Sequence, residues 1–356
     1  GVPGARSEVP LGSWIGSGVD SPDISKLPPG ERRIPTHMES AVGVFRAMME
    51  DHLPLDIVIE QDVEDIKTLR NYKVLILPDA TCLSQKANDT IRAFVKGGGG
   101  LVSLHESSLC NEFGDRQKDF GLADVFGAHY KASEDFSARW PNYVKITEFF
   151  MGYEGDLMKE ICDDPVVKSN YRRGGDRLNY IGWATNVEAE PTAKVLGNRL
   201  GTPAWPVMVM NTVGKGRSAF IAADLGQSYF LAPYQYQRRF ITNAVRWATK
   251  NNPSPATVEA PLCVQAAYYT QNEGKRKIVH LLNQMNTSAS SALPENNPPM
   301  REDIVPITGI KVTMAGTRIK TAFQEPEHVS LPLKKTAKGV EVTVPKVDIH
   351  SMVVFE

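Results

Sequence analysis

Two apolar runs on either side of one amphipathic helix limit what this 356-residue chain can fold into more than any other feature. KVLILPD, Lys73 to Asp79, is apolar at consecutive positions, the pattern of a strand buried on both faces and ended by Pro78 and Asp79. Ser84 then stands where a helix N-cap is wanted, before an apolar face of Ile91, Phe94 and Val95. The run Gly97 to Gly100 stops that helix, and a second buried strand, LVSLH, follows it. Upstream, Glu39 to His52 reads as a helix with Val42, Phe45, Met48 and Met49 on its apolar side. LDIVIE, Leu55 to Glu60, reads as a strand, and Val63 to Tyr72 as a short helix bearing Ile66 and Leu69. Strands alternating with helices through short loops imply right-handed crossovers and a doubly wound, mostly parallel α/β sheet.

From Lys131 to about Arg199 the pattern loosens. Val207 to Asn211 and Arg217 to Asp224 then read as a hairpin around GKG, extending the sheet. Tyr229 to Thr249 follows as one long amphipathic helix with Phe230, Phe240, Ile241, Val245 and Trp247, ended by NNPSP. Beyond it come short β-rich runs such as LCVQAAYYT, KRKIVHLLNQ, GVEVTVP and HSMVVFE, which suggest a small antiparallel β-sandwich. The expected division is a leader or linker over 1–35, an α/β domain over 36–252 and a sandwich over 258–356. Within the sandwich, Ser288 to Met300 forms a polar, Pro-rich loop.

The 40 Lys and Arg are balanced by 41 Asp and Glu, so no cationic field draws nucleic acid or anionic lipid, and neither is expected as a partner. No apolar run approaches the roughly 20 residues that span a bilayer, and no signal peptide is evident. The compartment cannot be read. The opening lacks an initiator Met and is rich in Gly, Pro and Ser, as in a processed product or a piece of something longer. Cys82, Cys110, Cys162 and Cys263 show no metal-ligand spacing and are expected as free, mostly buried thiols.

In open α/β sheets, function gathers beyond the carboxyl ends of the strands. That draws attention to His105, Glu106, Ser107, Ser108, Cys110, Asn111 and Glu112, and to Asp79 at the end of the preceding strand. His105, Glu106, Ser107 and Cys110 are the candidate catalytic groups, although Glu106 fits a crowded nucleophile elbow poorly and Cys110 falls a helical turn too late. The bland reading has His105 and Glu106 hydrogen-bonded to neighbouring loops, with the Ser pair capping a turn. Glu106 with Glu112, or Asp115 with Asp119, would serve as acid and base only if they faced one another, and Arg116 should pair with one of the carboxylates. GGGG precedes a strand and so is a helix stop, not a phosphate loop. Trp140, Tyr143, Tyr180, Trp183 and Trp205 are read as core or interface residues before sugar platforms. No cofactor is expected. The only metal arrangement left open joins His105 and Glu106 to distant ligands.

YKVLILPDATCLSQKANDTIRAFVKGGGGLVSLHESSLCNEFGDRQKDFGLADVFG resembles the trimerisation domain of family 42 β-galactosidases and of related glycoside hydrolase-like proteins. The LPD strand end, the HESSL strand end and DFGLADVFG, Asp119 to Gly127, carry the likeness. GKGRSAFIAADLG, Gly214 to Gly226, resembles that domain's closing hairpin, and the tail from Val258 resembles the small sandwich that ends such enzymes. The resemblance implies a flavodoxin-like fold similar to class I glutamine amidotransferases, whose nucleophilic Cys occupies the elbow where this chain has HESS. It further implies a homo-oligomer, with a trimer favoured, and a carbohydrate partner. The catalytic barrel, with both catalytic glutamates, would precede this domain in the parent protein.

The leading expectation is therefore a non-catalytic portion for oligomerisation and for shaping a substrate site, with Asp79, His105, Glu106, Ser107, Ser108, Glu112, Asp115 and Arg116 at the interface or facing a partner's sugar cleft. Two alternatives stay open. One is a self-sufficient hydrolase using the pocket around His105 and Glu106, and the other is a carbohydrate-binding module.

Overall fold

A computed structural model describes residues 36–135, 147–150, 177–199, 203–250, 254–286, 304–316 and 318–356. The expected leader, Trp140, Tyr143, Cys162 and the loop Ser288 to Met300 lie outside them. The described chain forms two compact units, one of residues 36–47 and 57–250, the other of residues 48–56 and 254–356.

The first unit runs α1 (Thr36–Glu50, its last residues counted with the other unit), α2 (Glu60–Val63), α3 (Ile66–Leu69), β1 (Val74–Leu77), α4 (Gln85–Lys96), β2 (Gly100–Leu104), α5 (Ala123–Phe126) and β3 (Ala128–Asp135). It continues with β4 (Thr147–Phe150), β5 (Arg177–Tyr180), β6 (Trp183–Ala189), β7 (Lys194–Arg199), β8 (Pro206–Val213), β9 (Gly216–Ile221), α6 (Leu225–Leu231) and α7 (Gln235–Ala248). One seven-stranded sheet has the order β1-β2-β9-β8-β7-β4-β5, and β3 and β6 form a separate ribbon. β1 and β2 run parallel with Val74 opposite Gly100, and β2 and β9 run parallel with Leu104 opposite Ile221. The remaining pairs in the sheet are antiparallel, including the β8–β9 hairpin that closes at Val213 and Gly216, around the GKG turn.

β2 lies inside the sheet and all five of its residues are buried. Side chains alternate along it. Leu101 joins Leu75, Leu77 and Phe220 against Ile91, Phe94 and Val95 of α4. Val102 and Leu104 point to the other face, where α7 packs with Phe240, Ile241 and Ala244 buried. Close approach explains Gly100, since a Cβ there would lie 2.6 Å from the Ala248 carbonyl oxygen at the end of α7. Ser84 caps α4 as expected, its Oγ accepting from the Ala87 amide at 3.0 Å.

Four local expectations need correction. LDIVIE is not a strand: β1 is the sheet edge, and Ile57 and Ile59 are 74% and 60% exposed. Val63 to Tyr72 is not one helix, because single turns α2 and α3 are separated by Glu64 and Asp65. The long helix from Tyr229 is broken into α6 and α7 around Pro233, which brings no amide hydrogen to a helical ladder. On α1 the buried side is Ser40, Gly43, Val44, Ala47 and, as expected, Met48, while Val42 and Phe45 are exposed. Proximity decides that face: a Cβ on Gly43 would sit 1.9 Å from the Gly226 carbonyl oxygen, so α1 meets α6 through its smallest residues.

The second unit is a sandwich of antiparallel sheets. β10 (Ala256–Glu259), β13 (Ile307–Met314), β17 (Gly339–Val347) and β16 (Lys334–Thr336) make one sheet. β11 (Val264–Gln271), β12 (Arg276–Asn283), β18 (His350–Phe355), β14 (Ala322–Glu325) and β15 (Val329–Ser330) make the other. Val258, Val312 and Val342 from the first sheet share a core with Val279, Leu281, Val353 and Phe355 from the second, the inward halves of alternating strands. His52 is fastened to this unit by Nε2 to the Val264 oxygen at 2.9 Å and by its own carbonyl, which accepts from Tyr268 Oη at 2.7 Å.

Candidate functional site

The three adjacent parallel strands each end on a polar residue. Asp79 follows β1, His105 follows β2 and Asp224 follows β9, so the sheet order brings together three groups far apart in sequence. All three are buried, at 1%, 0% and 0% exposure. His105 Nδ1 lies 2.9 Å from Asp79 Oδ1, and the Glu106 amide donates to the same oxygen at 3.2 Å. Asp224 caps α6: its Oδ1 accepts from the Gln227 amide at 3.0 Å and from Ser40 Oγ at 2.6 Å. Burial pushes the Asp224 carboxyl up to about 7, and the nearby Asp79 charge adds to the rise, while His105 works against it.

The HESSL turn is tied down by backbone. His105 and Ser108 take left-handed conformations, φ 53° and 62°, and Asp79 does the same at 53°, an arrangement that costs energy in non-glycine residues. Ser107 Oγ lies 2.9 Å from the Leu77 oxygen and 2.8 Å from the Leu104 oxygen, and accepts from the Ala80 amide. Ser108 Oγ accepts from the Leu122 amide at 3.3 Å. Both hydroxyls are buried fasteners between the two strand ends and the next loop, bonded to backbone atoms.

Glu106 leads outward. Its carboxylate is 2% exposed and its Oε1 accepts from Arg116 Nη2 at 2.6 Å and from Ser133 Oγ. Arg116 is half-exposed, donates to Tyr130 Oη at 2.7 Å and lies 5.1 Å from the centre of that ring. The other acids do not form facing pairs. Asp115 is turned to Asn111 Nδ2 at 3.1 Å, Asp119 to His129 Nδ1 at 2.6 Å, and Glu112 is exposed. Hydrogen bonding to Asp119 outweighs burial and raises the His129 pKa. Among the aromatics, Tyr180 is buried, Trp183 and Trp205 are half-buried, and the Trp183 ring centre is 6.4 Å from that of His105.

The β-galactosidase trimerisation domain model matches residues 31–238, more than half of the chain. The chain belongs to this family. No curated protein matches it. Solved structures share its fold: the α-L-fucosidase isoenzyme 2 of Paenibacillus thiaminolyticus, at 20% identity and TM-score 0.66, over 89% of this chain and 45% of that one. The β-galactosidase of Bacillus circulans sp. alkalophilus aligns at 15% identity and TM-score 0.59, over 90% and 38%. The cold-adapted β-galactosidase of Rahnella sp. R3 aligns at 15% and 0.56, over 93% and 37%. The chain thus spans less than half the length of these structures.

In this trimerisation domain Asp79, His105, Glu106 and Arg116, all candidates from the sequence, lie in one connected region with Asp224, Tyr130 and Ser133, which are not among those candidates. Asp224 carried a signal: it closes FIAAD as Asp79 closes VLILPD. Tyr130 and Ser133 both stand on β3, Ser133 within the stretch from Lys131 where the pattern loosens and Tyr130 just before it. Ligand-type atoms of Asp79, His105 and Asp224 all lie within 4.8 Å of one another, so this trio could hold a cation, and Glu106, turned to Arg116 and Ser133, is not part of it. Among the described cysteines the expectation of burial fails: Cys82 is exposed, and Cys110 and Cys263 are half-buried, because Cys82 and Cys110 lie past the strand ends instead of within the sheet.

Proposed function

We propose that this chain is the assembling, non-catalytic portion of a glycoside hydrolase-like, β-galactosidase-like protein, joining copies as a trimer and contributing one wall of a sugar site whose catalytic groups lie outside it. The match to the trimerisation domain over residues 31–238 carries the reading. Two features support it. The serine hydroxyls of the HESSL turn are spent on backbone, which leaves no activated nucleophile there. Met38, Val42 and Phe45, one face of α1 at helical spacing, are 40–54% exposed, an apolar stripe suited to a subunit contact.

Light scattering on the eluting protein at micromolar concentration is expected to give three chain masses. Phe45→Asp should shift it toward one, and a strict monomer for the unaltered chain would overturn the reading. The half-exposed Arg116, Tyr130 and Ser133 around Glu106 form the surface assigned to the sugar. If the chain alone cleaved a nitrophenyl glycoside and Glu106→Gln abolished that activity, the self-sufficient hydrolase would replace this proposal.

A further inference from the structure

Cys82 and Cys110 are paired in the backbone past the ends of β1 and β2. They are direct partners in a parallel bridge: the Leu83 amide donates to the Cys110 oxygen at 3.1 Å, and the Cys110 amide donates to the Thr81 oxygen at 2.9 Å. Directly opposed residues of adjacent strands point to the same face, with backbones roughly 4.8 Å apart. Disulfides join Cα atoms about 4.4–6.8 Å apart. As direct partners in that bridge, Cys82 and Cys110 set their thiols side by side on one face. Neither is in a disulfide here, and Cys82 is exposed, so a solvent-borne oxidant can reach it.

We infer that Cys82 and Cys110 form a reversible dithiol–disulfide site at the rim of the Glu106–Arg116 cluster, oxidised by small disulfides of the glutathione type. Nothing in the proposed assembly role requires it. The exposed Cys82 thiolate attacks one sulfur of oxidised glutathione, forming a mixed disulfide and releasing one glutathione thiolate. Cys110 then loses its proton to solvent and attacks Cys82 Sγ, which releases the second glutathione. Two protein thiols are oxidised and one glutathione disulfide is reduced to two thiols.

The environment orders these steps. Cys82 is exposed and meets the oxidant first, whereas Cys110 is half-buried, where contact with Cys82, burial and the Glu106 charge raise its pKa and Arg116 opposes them, so Cys110 acts as the resolving group. A second bridge pairs Cys110 with Arg116, so oxidation would fasten the loop bridged to that arginine to the segment after β1.

The test treats the full chain with oxidised glutathione, blocks remaining thiols with iodoacetamide and maps peptides without reductant. The expected product is a Cys82–Cys110 cross-linked peptide lighter by two hydrogens and abolished by dithiothreitol, with Cys263 alkylated. Cys82→Ser should leave Cys110 alkylated, and Cys110→Ser should stop the reaction at a glutathione adduct on Cys82. A stable adduct on Cys82 in the unaltered chain, or a cross-link from either residue to Cys162 or Cys263, would overturn the assignment, and the unaltered chain decides this even if a variant fails to fold.

Discussion

Asp79 and His105, the residues that close two neighbouring parallel strands, both hold left-handed backbone and face each other across 2.9 Å from Oδ1 to Nδ1. Two conformations that each cost energy are kept side by side, and the contact between the side chains helps hold both. Asp79 also takes the Glu106 amide, so one carboxylate sets the start of the turn that presents Glu106.

Removing His105 takes one hydrogen-bond partner from the buried Asp79 carboxylate. His105→Ala should lower the unfolding free energy by about 2 kcal/mol, within the range for leaving a buried polar group short of a partner. His105→Asn, which tolerates the left-handed backbone, should recover about 1 kcal/mol of that. Urea titrations of both variants check it, and a loss under about 1 kcal/mol for the alanine would mean the pair is not held as described.

Asp224 makes stability depend on pH. Its folded-state pKa is raised, so its contribution is fully present below the ordinary carboxylate range and is lost as pH climbs through about 7. Asp224→Asn keeps an oxygen for Gln227 and Ser40 but has nothing to ionise. The variant should therefore gain on the unaltered protein between pH 4 and pH 7 and level off above. A stability difference that stayed flat across that range would rule the account out.

Two histidines should titrate in opposite directions. Asp119, with help from Glu190, raises His129, whereas burial and then the neighbouring His350 lower His280. His129 therefore contributes stability below its ordinary pKa that fades as pH rises past the raised value. His280 disfavours folding as pH falls through its ordinary pKa, since the unfolded chain takes the proton first. Imidazole proton shifts followed by NMR should show the His129 midpoint above the His280 midpoint, and Asp119→Asn should lower only the former.

The contact between α1 and α6 has no room for a methyl group. Gly43→Ala places a Cβ 1.9 Å from the Gly226 carbonyl oxygen, and backbone must move. The expected cost is about 1–3 kcal/mol, within the range for overpacking. A denaturant midpoint unchanged from the unaltered chain would show that the two helices separate freely.

Much of the fold follows from the chain alone. The apolar runs at Val74–Leu77 and Leu101–Leu104, the Ser84 cap, the glycine stop and the β8–β9 hairpin are short-range matters of pattern and turn chemistry, so they are legible without the third dimension. Distance decided the rest. LDIVIE has a strand's alternation but does not join the sheet, whose edge is β1, and the buried side of α1 is set by how closely Gly43 approaches Gly226, not by which residues are most apolar. Likewise the HESSL segment marks the strand end, yet the meeting of Asp79, His105 and Asp224 depends on β9 lying beside β2. Local sequence determines which segments can be strands and where they end. Strand order, set by burial and pairing across the whole chain, determines which of those ends become neighbours.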